Sequence, residues 1–175
     1  MKLNAQELRN LDENTKLDIK RHPIYFILDN VYDTYNIGGL FRLADALAIE
    51  KMYLCGVSDI PPNPKIKKAS IGTYKVVPWE YKKNTEEAIE DLRSEHKNIQ
   101  IIAVEQNEKS KPFDEIIYSL PVALIFGNET SGVSPEVIKK CDVCAEIPMW
   151  GINKSLNVII SAGIVSYFVK LRAKQ

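Results

Sequence analysis

The sequence lacks the features of a secreted or membrane-spanning protein. Its 175 residues contain no uninterrupted run of about 18 apolar residues, the length that a membrane-spanning helix requires. Near the N-terminus the chain carries Asn4, Glu7, Asp12 and Glu13, where a signal peptide would have an apolar segment. We therefore expect a cytoplasmic protein that does not bind a membrane.

Neither sign of charge is in excess. The chain has 23 basic and 23 acidic residues, so its formal net charge is zero. Any binding of nucleic acid must then come from a local cluster of charge and not from the field of the whole molecule. Apolar residues make up 45% of the sequence and charged residues 26%, which is ordinary for a single globular domain.

Potential metal ligands are also scarce. The two histidines, His22 and His96, are far in sequence from the pair formed by Cys141 and Cys144, so we expect no four-ligand zinc site. A redox-active cysteine pair would stand at the start of a helix, whereas residues 141–147 have the pattern of a strand. We predict that all three cysteines are buried thiols and that the protein binds no metal.

Common nucleotide-binding and acyl-transfer motifs are missing. The chain has no Gly-x-Gly-x-x-Gly dinucleotide fingerprint, no Gly-x-x-x-x-Gly-Lys-Ser/Thr phosphate loop and no Gly-x-Ser-x-Gly nucleophile elbow. These absences argue against NAD-dependent oxidoreductases, NTPases and serine hydrolases.

What the sequence does contain is a regular alternation of strands and helices. Apolar stretches predict buried strands at residues 24–28, 51–57, 99–104, 122–126 and 141–147. Apolar residues at helical spacing fill the intervals between them. The alternation predicts the α/β class: one domain over residues 23–175 with a mostly parallel sheet and helices on both faces, after an N-terminal helical extension over residues 1–22.

Polar, glycine-containing loops lie at three predicted strand ends, where parallel sheets bind their ligands. Residues 36–42 (NIGGLFR) are expected to close a loop at a glycine pair before a helix. Residues 125–132 (IFGNETSG) carry Glu129, a lone carboxylate of the kind that more often shapes a loop or caps a helix than acts as a catalyst. Residues 147–158 (IPMWGINKSLNV) form the third loop.

The third loop leads into the last helix of the chain. Either Ser155 or Asn157 offers a side-chain oxygen that caps this helix. The helix itself is apolar almost all round, so the sheet covers one side and something else must cover the other. A second subunit is the simplest cover.

Residues 65–83 are the most nucleic-acid-like segment of the chain. They include six lysines against a single acidic residue, with aromatic residues between them. Lys65, Lys67 and Lys68 are the candidate RNA-binding residues. The alternative is a solvated face whose aromatic side chains belong to the core.

Together, the three loops resemble the three motifs of the SpoU-type RNA ribose 2′-O-methyltransferases of the SPOUT superfamily. Their order and spacing match as well, and the resemblance covers roughly residues 23–172, nearly the whole chain. Each motif alone is weak, but three in order at strand ends argue against chance agreement.

The resemblance implies a C-terminal trefoil knot, a homodimer, and S-adenosylmethionine as the cofactor held in the knot. It also assigns residues by position. The cofactor contacts are Val104, Gly127, Ile147, Met149 and Leu156. The catalytic and substrate-side positions are Asn36, Arg42, Glu129, Ser155 and Asn157.

Methyl transfer is an in-line displacement, so positioning and electrostatics should dominate catalysis. A guanidinium is effectively always protonated, which favours Arg42 as a stabiliser of the developing alkoxide or of a neighbouring phosphate over Arg42 as a base. A bound phosphate could take the proton. Glu129 would orient Arg42 or a ribose hydroxyl, while Asn36 and Ser155 would supply neutral hydrogen bonds.

The larger family members carry an additional N-terminal RNA-binding domain, for which this chain has no room. We therefore expect the methyltransferase domain itself to grip the RNA, through residues 65–83 and through Lys170, Arg172 and Lys174 near the C-terminus. This arrangement resembles the short, tRNA-directed members, so the resemblance favours tRNA over rRNA.

A non-catalytic RNA-binding protein with the same fold is the alternative function. The combination of Arg42, Glu129 and Asn157 argues against it.

Overall fold

Seven strands form a single parallel sheet in the computed structural model, which describes residues 2–12, 15 and 17–173. The strands are β1 His22–Asp29, β2 Ile49–Cys55, β3 Trp79–Lys82, β4 Gln100–Val104, β5 Lys111–Pro112, β6 Val122–Gly127 and β7 Val143–Glu146. Their order across the sheet is β3-β2-β1-β6-β4-β7-β5. The predicted α/β class is confirmed.

Helices cover both faces of this sheet. They are α1 Ala5–Asn10, α2 Thr34–Ala46, α3 Pro64–Ser70, α4 Thr85–Glu95, α5 Pro135–Ile138 and α6 Val158–Arg172, with short 3-10 turns at Thr73–Lys75 and Phe113–Glu115. Buried side chains of α2, α3 and α6 pack in one hydrophobic core, and those of α4 and α5 pack in a second core on the opposite face.

The register of the sheet brings the carboxyl ends of its central strands level with one another. Asp29 at the end of β1 pairs with Cys55 of β2 on one side and with Gly127 of β6 on the other. Val104 at the end of β4 pairs with Phe126 of β6 and with Ala145 of β7. On one side of β1 the strands follow chain order, whereas on the other side β6 is inserted between β1 and β4, and β7 between β4 and β5. Ligands of such sheets bind at the carboxyl ends of the strands.

Helix α2 begins earlier than the sequence predicts. It starts at Thr34, after Asp33 has accepted hydrogen bonds from the backbone of the first turn. Residues 36–39, expected as a loop, are therefore helical. The glycine pair is explained by close packing, because a Cβ on Gly38 would lie 2.4 Å from Ala69 of α3 and one on Gly39 would lie 2.4 Å from Ile159 of α6.

Asn157, and not Ser155, caps α6. The Asn157 side chain accepts a hydrogen bond from the backbone N–H of Ile159 at 2.9 Å. The side of α6 that faces the sheet is buried at Ala162, Val165, Ser166 and Val169. The opposite side exposes a stripe of large apolar residues at helical spacing: Ile160, Ile164, Tyr167 and Leu171.

The N-terminal helix α1 packs on the turn that follows α3. Gly72, with φ of +100°, lies so close to Leu8 that a Cβ would be 2.5 Å from the Leu8 carbonyl oxygen. The Lys75 ammonium donates hydrogen bonds to the carbonyl oxygens of Arg9 and Leu11, at 3.1 and 2.6 Å. A cation at the C-terminal end of a helix is favourable, so Lys75 fastens α1 to the body of the protein.

All three cysteines are free thiols. Cys55 and Cys144 are buried as predicted, whereas Cys141 is only half-buried. Burial raises the pKa of Cys55 and of Cys141 to about 12 and the pKa of Cys144 to about 11, so all three are protonated at neutral pH. Thiols in this state are poor nucleophiles and poor metal ligands.

None of the helices in the described part of the chain is long and apolar enough to cross a membrane.

Candidate cofactor cleft and catalytic loops

A cleft of about 540 Å³ lies at the carboxyl ends of β4, β6 and β7. It is lined by the loops that follow these strands and by the first turn of α6. All five residues that the sequence assigned to the cofactor line this cleft: Val104, Gly127, Ile147, Met149 and Leu156. The catalytic candidates Glu129, Ser155 and Asn157 line it too. The volume is within the usual range for small-molecule sites, about 300–1,000 Å³.

Two glycines give the cleft its narrow backbone wall. A Cβ on Gly127 would lie 2.0 Å from the Gly132 carbonyl carbon. Gly132 has φ of +68°, and a Cβ there would lie 2.0 Å from a carboxylate oxygen of Glu105. A side chain at Gly127 would collide with the backbone at the other end of the loop, and one at Gly132 would be strained by the positive φ and would meet Glu105 after β4, so residues 127–132 favour glycine at both ends.

A chain of hydrogen bonds joins the three predicted motifs. The Asn157 side chain, which accepts from the Ile159 N–H, donates from its Nδ2 to Oδ1 of Asn36 at 3.0 Å. The Asn36 Nδ2 donates in turn to Oε1 of Glu129 at 2.5 Å. Asn36 is buried, whereas the carboxylate of Glu129 lies in the exposed loop that borders the cleft. The structure thus brings together one predicted catalytic residue from each motif.

Arg42 is not part of this chain. It lies on α2, six positions after Asn36, which places it about 120° around the helix axis and about 9 Å along it. Its side chain is exposed and makes no hydrogen bond or ion pair with any other residue that the structure describes. Arg42 is therefore free to contact a partner molecule.

Ser155 is exposed on the wall of the cleft. Its backbone N–H donates weakly to the Asn153 side chain at 3.5 Å, but its hydroxyl has no hydrogen-bond partner within the described parts of the chain. Two roles were predicted for Ser155, capping of α6 and a part in the functional site. Asn157 caps α6, so only the second role is left for Ser155.

A buried carboxylate holds the loops around the cleft in place. Asp29, 2% exposed, ends β1 and accepts hydrogen bonds from the Thr85 hydroxyl and from both the N–H and the hydroxyl of Ser134, each at 2.7 Å. It thereby ties the start of α4 and the segment before α5 to the centre of the sheet. Ser134 occupies the N-cap position of α5 but makes no capping hydrogen bond with its side chain, which donates to Asp29 instead.

Glu105 and Gln106 follow β4 directly and line the cleft, although neither was predicted from the sequence. The Glu105 carboxylate accepts the N–H groups of Val133 and Gln106, at 2.8 and 2.9 Å. The signal was available, because both residues follow a strand end, the criterion that identified the other loops. The prediction at this strand stopped one residue short, at Val104.

The charge of the cleft has one sign. Its lining includes the carboxylates of Glu105, Glu129 and Glu146 and, counted over the residues that the structure describes, no lysine, arginine or histidine. A site of this kind attracts a cationic ligand and repels phosphate groups.

The basic segment 65–83 divides into free and engaged lysines. Lys65, Lys67 and Lys68 are exposed on α3 and form no ion pair within the described ranges. By contrast, Lys75 holds α1, and Lys82 forms ion pairs with Glu80 and Asp91.

The structure describes two of the three basic residues that were predicted to contact RNA near the C-terminus. Lys170 is half-buried and Arg172 is exposed at the end of α6, and Lys174 lies outside the described residues.

The open parallel sheet and the glycine-bounded cleft at its carboxyl edge define an α/β protein with a cleft of small-molecule size. The profile of the SpoU rRNA Methylase family matches residues 23–167, and the chain belongs to that family. The resemblance deduced from the three loops is confirmed.

Individual relatives show how far the similarity extends. The tRNA (guanosine(18)-2′-O)-methyltransferase of Aquifex aeolicus is 29% identical over 158 residues, which is 86% of this chain and 70% of that protein. An AdoMet-bound rRNA methyltransferase from Sinorhizobium meliloti superposes with a TM-score of 0.76 at 29% identity, over 94% of this chain and 59% of that one.

A third structure supports the fold alone. The SpoU methyltransferase AviRb from Streptomyces viridochromogenes, crystallised with AdoMet, superposes with a TM-score of 0.79 at 24% identity. The match covers 87% of this chain and 59% of AviRb, so the chain spans well under two thirds of the length of both solved relatives.

Proposed function

We propose that the protein transfers a methyl group from S-adenosylmethionine to a ribose 2′-hydroxyl of RNA, with tRNA favoured over rRNA. The acidic cleft is the observation that carries the proposal. S-adenosylmethionine is a nucleoside with a cationic sulfonium and no phosphate, which matches three carboxylates and no basic side chain in the described lining. A phosphorylated nucleotide such as ATP or NAD would meet repulsion there.

The residues present fit this cofactor. Val104, Ile147, Met149 and Leu156 offer apolar walls for an adenine ring, and the Gly127 backbone allows close approach. When bound, S-adenosylmethionine would supply the electrophilic methyl group. The chain's own residues then need only hold the RNA hydroxyl in line and favour its alkoxide character.

We assign Glu129 to orienting the ribose hydroxyl. One of its carboxylate oxygens is held by Asn36 at 2.5 Å, which leaves the other free to accept from the hydroxyl. Asn36 and Asn157 act through Glu129 as positioning residues, because their amide groups already bind one another. Ser155, with an unoccupied hydroxyl on the cleft wall, adds a neutral hydrogen bond to the bound ligands.

Arg42 is assigned to the RNA side. Its exposed and unpaired guanidinium stabilises the developing alkoxide or binds an adjacent phosphate once RNA is present. Lys65, Lys67 and Lys68 contact the RNA backbone from α3, which packs against α2 at Gly38. The relatives named above act on tRNA or rRNA, which supports RNA as the substrate class.

A homodimer and a trefoil knot belong to the same proposal. The exposed apolar stripe of α6, formed by Ile160, Ile164, Tyr167 and Leu171, is a surface that a second subunit would bury. Family membership supports a knot in which the C-terminal segment passes through a loop. We also propose that residues 1–22 are an N-terminal extension and that residues 23–175 form the methyltransferase domain. The proposed location of the protein is the cytoplasm.

Two measurements test the function. Isothermal calorimetry with S-adenosylmethionine should show binding at one site per chain, whereas ATP should not bind. Tritiated S-adenosylmethionine should then label bulk tRNA or rRNA taken from a strain that lacks the gene, and nuclease digestion with mass spectrometry should identify a 2′-O-methylated nucleoside.

The two results separate the candidate functions. No cofactor binding would refute the proposal, and RNA binding without cofactor binding would support the non-catalytic alternative.

A further inference from the structure

Two half-exposed tyrosines stand at the rim of the polar chain that joins the motifs. Tyr32 is 49% exposed in the loop between β1 and α2, and Tyr35 is 55% exposed in the first turn of α2, next to Asn36. None of the roles assigned above uses either ring. Exposed aromatic rings beside a buried polar site are surfaces for a flat ligand.

Tyr32, like Asn36, contacts the loop that contains Glu129. Its hydroxyl is 2.8 Å from the Thr130 hydroxyl, and Thr130 follows Glu129 in the loop that lines the cleft. Two contacts therefore join the same two segments, one in the interior between Asn36 and Glu129 and one at the surface between Tyr32 and Thr130. The Tyr32 ring is thus half-exposed beside the residue that follows Glu129.

The chemistry of a nucleotide keeps its base close to the hydroxyl that becomes methylated. The 2′-hydroxyl and the base are carried by adjacent carbons of the ribose, so a ribose held at Glu129 brings its base to the rim of the loop. Bases taken out of a helix or presented in single strands stack on aromatic side chains. The exposed lysines of α3 lie on a helix that packs against α2, where they can contact the flanking phosphates.

We propose that Tyr32 is the stacking platform for the base of the nucleotide that becomes methylated. The inference rests on the proposed function and adds the residue that holds the target base. Stacking on one ring is tolerant of base identity, so Tyr32 selects an unstacked nucleotide and not a particular base.

The test compares variants that keep or remove the ring. Tyr32→Ala should weaken RNA binding by about 5- to 150-fold in filter-binding assays, the range that corresponds to the loss of stacking on one base. Tyr32→Phe and Tyr32→Trp should bind RNA nearly as well as the wild type. Calorimetry should find the same affinity for S-adenosylmethionine in all of them.

Ile117→Ala is the control for the loss of a large exposed apolar side chain. Ile117 is 74% exposed, and its carbonyl oxygen accepts a hydrogen bond from Nε2 of Gln100, the first residue of β4, so it lies at the edge of the sheet opposite the cleft. This variant should bind and methylate RNA like the wild type. The RNA is bulk tRNA and rRNA from a strain that lacks the gene, with tritiated S-adenosylmethionine as the methyl donor.

Three outcomes would overturn the inference while the function stands: unchanged RNA binding in Tyr32→Ala, an equal loss in Tyr32→Phe, or an equal loss in Ile117→Ala. The second would assign the effect to the hydroxyl contact with Thr130 instead of the ring. If the wild-type protein transfers no methyl group to any RNA, the proposed function fails and this inference fails with it.

Discussion

At the scale of single residues, the centre of the site is a chain of side-chain hydrogen bonds in which each donor and each acceptor is identified. Asn157 accepts from a backbone N–H and donates to Asn36, and Asn36 donates to the Glu129 carboxylate. A carboxylate only accepts, so the amide next to it must present its N–H. Asparagine is therefore required at position 36, although aspartate has almost the same shape.

We predict that Asn36→Asp destabilises the protein by about 1–3 kcal/mol at neutral pH, because an acceptor would face the Glu129 carboxylate in place of a donor. In this variant the two neighbouring carboxylates, at positions 36 and 129, would share a proton more readily in the folded protein than in the unfolded chain. The deficit should therefore shrink as the pH falls through the raised pKa of the pair and should be largest above it. Urea unfolding from pH 4 to pH 8 measures this.

Asn63→Asp is the control for this substitution. Asn63 caps α3 by accepting hydrogen bonds from the N–H groups of Lys65 and Ile66, and aspartate caps a helix as well as asparagine. This variant should show neither the deficit nor its pH dependence. An equal loss in both variants would contradict the role given to Asn36.

Arg42→Ala should lower the rate of methyl transfer by at least about 100-fold, the size of the effect when one stabilising donor is removed from an active site. The free energy of unfolding should change by less than about 0.5 kcal/mol, because the exposed side chain has no partner in the described chain. Binding of S-adenosylmethionine should stay near normal. Transfer kinetics, urea unfolding and calorimetry measure the three effects.

Arg93→Ala removes an arginine from α4, where the side chain contacts Lys140 and Asp142 away from the cleft, and should leave methyl transfer intact. Transfer at the wild-type rate in Arg42→Ala would show that Arg42 has no part in the reaction.

At the scale of elements, the sequence predicted the main strands and the helices between them, because buried strands and amphipathic helices have distinct apolar periods. It failed at the start of α2, where glycine pairs usually indicate a loop. The reason for Gly38 and Gly39 is tertiary, namely the approach of Ala69 and Ile159 from two other helices. Local pattern carries no information about such neighbours.

The order of the strands and the shortest strand could not be predicted from the sequence either. β5 is only the two residues Lys111–Pro112, too few to show a period. The hydrogen bonds that link Asn36, Glu129 and Asn157 depend on how the strands are ordered, so the three motifs could be recognised while their contacts could not. The resemblance to the family predicted which residues belong to the site, and the structure shows how these residues contact one another.

The apolar stripe on α6 allows a direct test of the homodimer. Ile164→Glu should give a monomer, because it places a charge in the middle of the surface that the partner subunit would bury. Sedimentation velocity at micromolar concentration measures this. Ile117→Glu, at an exposed isoleucine outside α6, should leave the dimer unchanged.

A wild-type protein that sediments as a monomer at micromolar concentration would refute the dimer.

At the scale of the whole molecule, the cleft is built from segments that follow three different strands, so a ligand in it should stabilise the entire fold. S-adenosylmethionine at about 100 times its dissociation constant should add about 2.7 kcal/mol, which raises the melting temperature by roughly 5–10 °C. Differential scanning calorimetry measures the shift. ATP at the same concentration is the control and should leave the melting temperature unchanged, and an equal shift with ATP would contradict the charge argument.

The chain of amides has a further consequence for how the molecule reaches its active form. The two side-chain contacts of Asn36 join residues 93 and 121 positions apart in sequence. Contacts between such distant parts of a chain form only after most of the backbone has been ordered, because closing long loops is entropically costly. Ligand binding should therefore be among the last properties to return during refolding, after the secondary structure.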